Sequence, residues 1–166
     1  MRESLSDLVG GPVSNWAWKK ASLPCSLGGL TLRSAHLHAS AAFISSLDQS
    51  HSLIMRILRQ PMVTSLYLAE VISDLAQAAE KTDWSSVKEI DVPLRQRPLS
   101  HMIDKATYGS LLDSAPNPRS RAFVLSTAIP HAGDWLNVVP SANLGLHLQD
   151  REFRLCLGYW LGLKRL

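Results

Sequence analysis

Six histidines, two cysteines and fourteen carboxylates are what this chain offers for metal or nucleophilic chemistry. His36 and His38 lie two apart, which puts them on roughly opposite sides of a helix, whereas helical zinc pairs favour a spacing of four. His51, His101, His131 and His147 are scattered, without Cys, Asp or Glu around them in ligand order. His131 and Asp134 are spaced for a hydrogen bond within a loop. A catalytic pair would also need a nucleophile, and no Gly-x-Ser-x-Gly elbow is present. Asp104 and Lys105 are the nearest approach to the acid and lysine of a metal-dependent nuclease. They fall in a helix-like run with no second acid beside them and read as surface charges.

The chemistry that is missing is equally specific. A magnesium-dependent polymerase holds its metal with adjacent aspartates, and the sequence has no Asp-Asp pair. Neither of the glycine-rich phosphate loops, GxxxxGK[ST] or GxGxxG, occurs. Cys25 and Cys156 are far apart and make neither a disulfide scaffold nor a cysteine zinc site. They suit a reduced intracellular compartment, nuclear or cytoplasmic. The expectation is a non-enzyme with no metal, no cofactor and no small-molecule ligand.

Charge carries the remaining signal. The formal net charge is +3 over 166 residues. Through Gln60 six Lys/Arg face three acids, from Pro61 to Asp113 five face eight, and from Ser114 onward six again face three. The two ends can meet phosphates and the acidic middle cannot, although solvated basic faces need no such partner. No apolar stretch approaches the ~20 residues needed to cross a bilayer, and the N-terminus lacks the apolar core of a signal segment. No membrane partner is expected.

Short helices separated by prolines must position these groups. With 46% hydrophobic residues the chain can bury one ordinary core. Arg2 to Val9 reads as a helix stopped by Gly10-Gly11-Pro12. Trp16 and Trp18, two apart, read as one face of a strand over Val13 to Lys20, paired with Leu30-Thr31-Leu32 through the Pro24-to-Gly29 loop. Ser34 caps a helix to about Leu47, with Ala39, Ala41, Ala42, Phe43 and Ile44 inward. Ser52 caps a second, shorter helix ended by Pro61, whose Arg56 and Arg59 point away from the apolar side.

Ser65 to Lys81 has the cleanest helical period, through Leu68, Val71, Ile72, Leu75, Ala76 and Ala79. Asp83 can cap a turn at Trp84, and Asp91 to Pro98 reads as an extended connector. Leu99 to about Leu112 is helical, with Leu99, Met102, Ile103 and Ala106 inward. Asn117 and Pro118 start a helix whose stripe is Ala122, Leu125 and Ile129, running to Pro130. His131 to Pro140 is irregular or briefly extended around Trp135-Leu136. The last helix starts at Asp150, buries Phe153, Cys156, Leu157, Trp160 and Leu161, and turns Arg151 and Arg154 outward. Gly162 stops it.

The expected fold is mainly α: an irregular multi-helix array with a small β-hairpin near the N-terminus. It forms one helical region, with hairpin and helices over 13–60, an acidic helical middle over 61–113, and C-terminal helices over 114–166.

Three stretches, in order, carry a family resemblance. Gly28-Gly29-Leu30-Thr31-Leu32-Arg33, leading into the Ala-rich run to Leu47, resembles the "GGLGLR"-like turn and helix that follow the polymerase core of non-LTR retrotransposon reverse transcriptases. Ala132 to Pro140 is similar to the "AxxWLxxxP" loop after the thumb of these polyproteins. Leu148 to Arg154, with Tyr159 to Leu163, is similar to the "LxDxEFRxxLxxRLGL" helix beyond it. The resemblance covers Val9 to Leu163.

It implies a connector after the thumb and before a zinc knuckle and restriction-like endonuclease, a fragment whose polymerase aspartates lie upstream and whose knuckle cysteines lie downstream. Such a piece would grip template RNA or target DNA without cutting or copying it. The candidate contacts on the basic ends are Lys19, Lys20, Arg33, Arg151 and Arg154. The alternative from another class is a helical protein-interaction module without nucleic-acid binding, docking a protein partner through unpaired apolar helix faces.

Overall fold

The computed structural model describes residues 1–59 and 96–163, together with Ser73. Among the described residues the regular structure is helical: α1 (Arg2–Val9), α2 (Asn15–Ser22), α3 (Ala35–Leu58), α4 (Gln96–Asp113), α5 (Pro118–Thr127) and α6 (Asp150–Trp160), with short 3-10 turns between some of them. The only bridge among them is an isolated antiparallel pair, Ser141 with Leu146. The chain forms two compact units, one of Met1–Arg33 with Tyr108–Leu166, the other of Ser34–Thr107.

In the first unit the expected hairpin is absent, and its first arm is α2. The Ser14 side chain accepts the Ala17 N–H at 3.1 Å and starts the helix. Ala17, Lys20 and Ala21 are its buried set, a spacing of three and one that belongs to a helix. The two indoles at Trp16 and Trp18 imitate a strand period that the backbone does not follow. The second arm, Leu30 to Leu32, is irregular, with Thr31 at φ +59°, and pairs with no strand. The Leu30 and Leu32 N–H groups both donate to the Ala21 carbonyl, and the Thr31 N–H donates to Leu23. These bonds satisfy carbonyls at the C-terminal end of α2 that no helical turn can reach.

The turn between them explains its two glycines. Gly28 has φ +78°, and a Cβ there would also strike the Thr127 hydroxyl. A Cβ on Gly29 would run into the Leu23 carbonyl. Around this turn α1, α2 and α6 bury Leu5, Val13, Ala17, Ala21, Leu157 and Leu161 in one cluster. Leu23, Leu111 and Val124 form a second, flanked by Trp16, Leu27, Tyr108 and Leu112.

Caps set the other boundaries. Gly10, at φ 74°, closes α1 as expected. The Asn117 side chain accepts the Ser120 N–H at 2.8 Å, with Pro118 in the first turn. Glu152 reaches back to the Gln149 N–H at 2.9 Å and fixes the start of α6 at Asp150. Two buried faces differ from expectation. In α5 the buried residues are Val124 and Thr127, while Leu125 and Ile129 are exposed, and the helix ends at Thr127 rather than Pro130. At α6 Leu157, Trp160 and the C-cap Leu161 are buried, but Phe153 and Cys156 are exposed. Trp135-Leu136 lies in a 3-10 turn, Asp134–Asn137.

In the second unit the two helices expected on either side of Ser52 are one, α3, capped by Ser34 and closed at Arg59 with φ 52°. No glycine or proline interrupts Leu47 to Ser52, so the ladder runs through it. Ala41 and Ile44 of α3 pack with Leu99 and Ile103 of α4, beside Leu37 and Met102. Phe43, expected inward, is exposed. Gln96 to Pro98, expected extended, begin α4. The helix expected over Ser65 to Lys81, Ser73 apart, the Asp83 cap and the rest of the connector lie outside the described residues.

Candidate functional site

The five expected contact residues separate into three situations. Arg151 and Arg154 stand one turn apart on α6, both exposed. With Asp150, Leu155 and Val9 they line an open groove of about 430 Å³. Neither guanidinium makes an ion pair with any of the described residues. Residues 150 to 156, the first two turns of α6, are all exposed, and Arg151 and Arg154 are presented with them, although position 154 shares the i, i+3, i+7 face of Leu157 and Leu161.

Lys19 is half-buried, and its Nζ donates to the Ser110 hydroxyl at 2.6 Å. The ammonium keeps further donors, but its reach is fixed by that bond. Arg33 is exposed just beyond the glycine turn. Arg151 and Arg154 thus line one groove, and neither Lys19 nor Arg33 is among its lining residues.

Lys20 is the correction. Its side chain is 0% exposed and cannot reach a phosphate. Its Nζ donates to the Trp160 carbonyl at 2.6 Å and sits 4.0 Å from the Phe123 ring centroid. Position 20 falls on the same helical face as Ala17 and Ala21, which the strand reading concealed. Burial pulls the lysine from 10.5 down to about 7. The carbonyl and the ring face act in the opposite sense, since both favour the ammonium. Trp160 is itself anchored: its indole N–H donates to the Gly29 carbonyl at 3.2 Å, and its ring meets Trp135 edge-on at 5.8 Å.

The described histidine side chains do not converge on one site. His131 Nδ1 lies 2.9 Å from Asp134 Oδ2, as their spacing suggests, with both side chains in solvent. In the other unit His38 Nε2 lies 3.5 Å from the buried Asp104 Oδ1. Asp104 thus faces a histidine inside that unit rather than solvent beside Lys105. Among the described residues no three His, Cys, Asp or Glu groups are placed to hold a metal ion. No described helix is long and apolar enough to cross a membrane.

Comparison of the chain with protein-family models, with curated proteins and with solved structures finds no match.

Proposed function

We propose that the chain is a non-catalytic piece derived from a non-LTR retrotransposon reverse-transcriptase polyprotein, and that it contributes nucleic-acid contacts from the region after the polymerase thumb. The three ordered motifs support the origin. The contact rests on one observation: Arg151 and Arg154 project side by side from α6 into an open groove, without a carboxylate partner among the described residues. Two guanidiniums one helical turn apart suit successive backbone phosphates. No adjacent aspartate pair is present to support polymerase chemistry. A filter-binding titration against duplex DNA and structured RNA tests the contact: saturable binding at low salt supports it, and retention no better than background removes it. Flanking genomic DNA tests the origin, through an upstream Asp-Asp polymerase frame and a downstream Cys/His cluster.

The second reading, a helical protein-interaction module, is favoured by apolar side chains in solvent. Leu53 and Ile57 on α3 are 48% and 68% exposed, and Val139 and Leu144 are 79% and 73% exposed. Size-exclusion chromatography with light scattering separates the readings. A strictly monomeric, freely soluble chain counts against large unpaired faces, and self-association counts for them.

A further inference from the structure

A second concave site lies in the first unit, away from Arg151 and Arg154. Trp16 of α2, Phe123 of α5 and Tyr159 of α6 supply aromatic walls to a cavity of about 400 Å³, and Asn117, Arg119 and Ser120 supply its polar side. That volume falls within the range of small-molecule pockets. The walls are held in place. The Trp16 indole N–H donates to the Leu111 carbonyl at 3.4 Å. Phe123 and Tyr159 meet edge-on at 5.5 Å and 81°. Gly162, at φ +70°, lines the cavity where a Cβ would stand only 3.4 Å from both the Phe123 and Trp16 rings. The polar side, by contrast, is uncommitted. Arg119 is exposed and makes no hydrogen bond or ion pair with any described residue. Tyr159 is 66% exposed, and its hydroxyl likewise has no described partner. Asn117 uses its side-chain oxygen on the Ser120 N–H and keeps its amide donors.

We infer that this cavity binds a planar aromatic ring carrying an anionic group, the chemistry of a nucleotide. The ring lies against Tyr159 and the Trp16 edge, and the phosphate meets the Arg119 guanidinium. Aromatic side chains accept any nucleobase by its face, and a neighbouring arginine adds charge without selecting sequence. The same chemistry is offered by a free nucleoside monophosphate and by one residue of a single-stranded oligonucleotide. The site does not depend on the α6 groove, whose walls are Val9, Asp150, Arg151, Arg154 and Leu155.

The test is a calorimetric titration of the full chain with adenosine and uridine monophosphates, and a fluorescence-anisotropy titration with a labelled single-stranded oligonucleotide. Tyr159→Ala and Arg119→Ala, both at exposed positions and checked by circular dichroism, should each weaken binding by about tenfold. Arg151→Gln with Arg154→Gln should leave mononucleotide affinity unchanged. Binding of the mononucleotides identifies a free-nucleotide site, and binding of the oligonucleotide alone identifies a strand-stacking site. No saturable binding of either probe overturns the inference, as does binding that survives both Tyr159→Ala and Arg119→Ala. Mononucleotide binding in a protein that ignores duplex DNA and structured RNA would preserve this site while removing the groove contact.

Discussion

Lys20 Nζ donates to the Trp160 carbonyl at 2.6 Å, joining residues 140 apart in sequence. Trp160 is the last residue of α6, so its carbonyl is one of those a helix leaves unpaired at its C-terminus. An ammonium placed there satisfies the acceptor and lies at the negative end of the helix dipole. One side chain on α2 thereby closes α6 and fills space against Phe123.

That placement makes stability depend on pH. Burial lowers Lys20 to about 7, against 10.5 when it is exposed. Below about 7 the folded and unfolded chains both carry the proton, and the cost of the buried charge stands in full. Between about 7 and 10.5 the unfolded chain binds the extra proton, so stability rises with pH, by up to about 1.4 kcal/mol per unit from this group. Urea midpoints measured from pH 6.5 to 9.5 should climb in the parent and climb less in Lys20→Met. Parallel slopes in the two proteins would show that Lys20 titrates alike folded and unfolded.

Ser14→Ala separates a helix at α2 from a hairpin arm. The Ser14 hydroxyl accepts the Ala17 N–H, so its loss should cost about 1 kcal/mol. Inside a hairpin arm over Val13 to Lys20 the same hydroxyl would cap nothing, and its loss would cost almost nothing. The Asn117→Ala change, at the start of α5, should cost a similar amount and serves as the internal standard. Thermal unfolding of the two variants gives the comparison directly.

What could be read from the sequence was mostly punctuation. Gly10 ending α1, Asn117-Pro118 opening α5 and Glu152 marking the start of α6 act through bonds within a few residues, so local sequence specifies them. Burial that depends on distant partners was not legible in the same way. Lys20 occupies a core position because Trp160 and Phe123 meet it there, and nothing near residue 20 announces either. In α5 the spacing points to Leu125 and Ile129, yet Val124 and Thr127 are the residues buried, the Thr127 hydroxyl donating to the Val124 carbonyl at 3.0 Å. Ser52 has the composition of a cap but no breaker beside it, and α3 continues. Arg151 opposes the Leu157 and Leu161 face by helix period, but Arg154 shares that face and is exposed because the first two turns of α6, residues 150 to 156, are exposed throughout.

Two glycines should respond in opposite directions to alanine. Gly29→Ala drives a Cβ into the Leu23 carbonyl in a segment tied by backbone hydrogen bonds, so relief needs the turn itself to move. A cost of about 2 kcal/mol or more is expected. Gly109, inside α4, has open space where its Cβ would be. Gly109→Ala should stabilise by about 0.5–1 kcal/mol through helix propensity and a less flexible unfolded chain. Melting temperatures should move by roughly 2–4 °C per kcal/mol.

The groove on α6 predicts a salt dependence as well as an affinity. If Arg151 and Arg154 each neutralise one phosphate of duplex DNA, binding releases about 0.9 counterion per contact. Replacing both with glutamine should then lower affinity at low salt and make the plot of log affinity against log salt shallower by about 1.8. Lys20→Met should leave that slope unchanged, because the buried ammonium faces Trp160 and Phe123 rather than solvent. Both arginines are exposed, so the double variant should keep the parent's circular dichroism. A double variant with the parent's slope would place the phosphate contacts elsewhere on the basic surface. A Lys20→Met protein with a reduced slope and an unaltered fold would mean that the lysine leaves the core to bind.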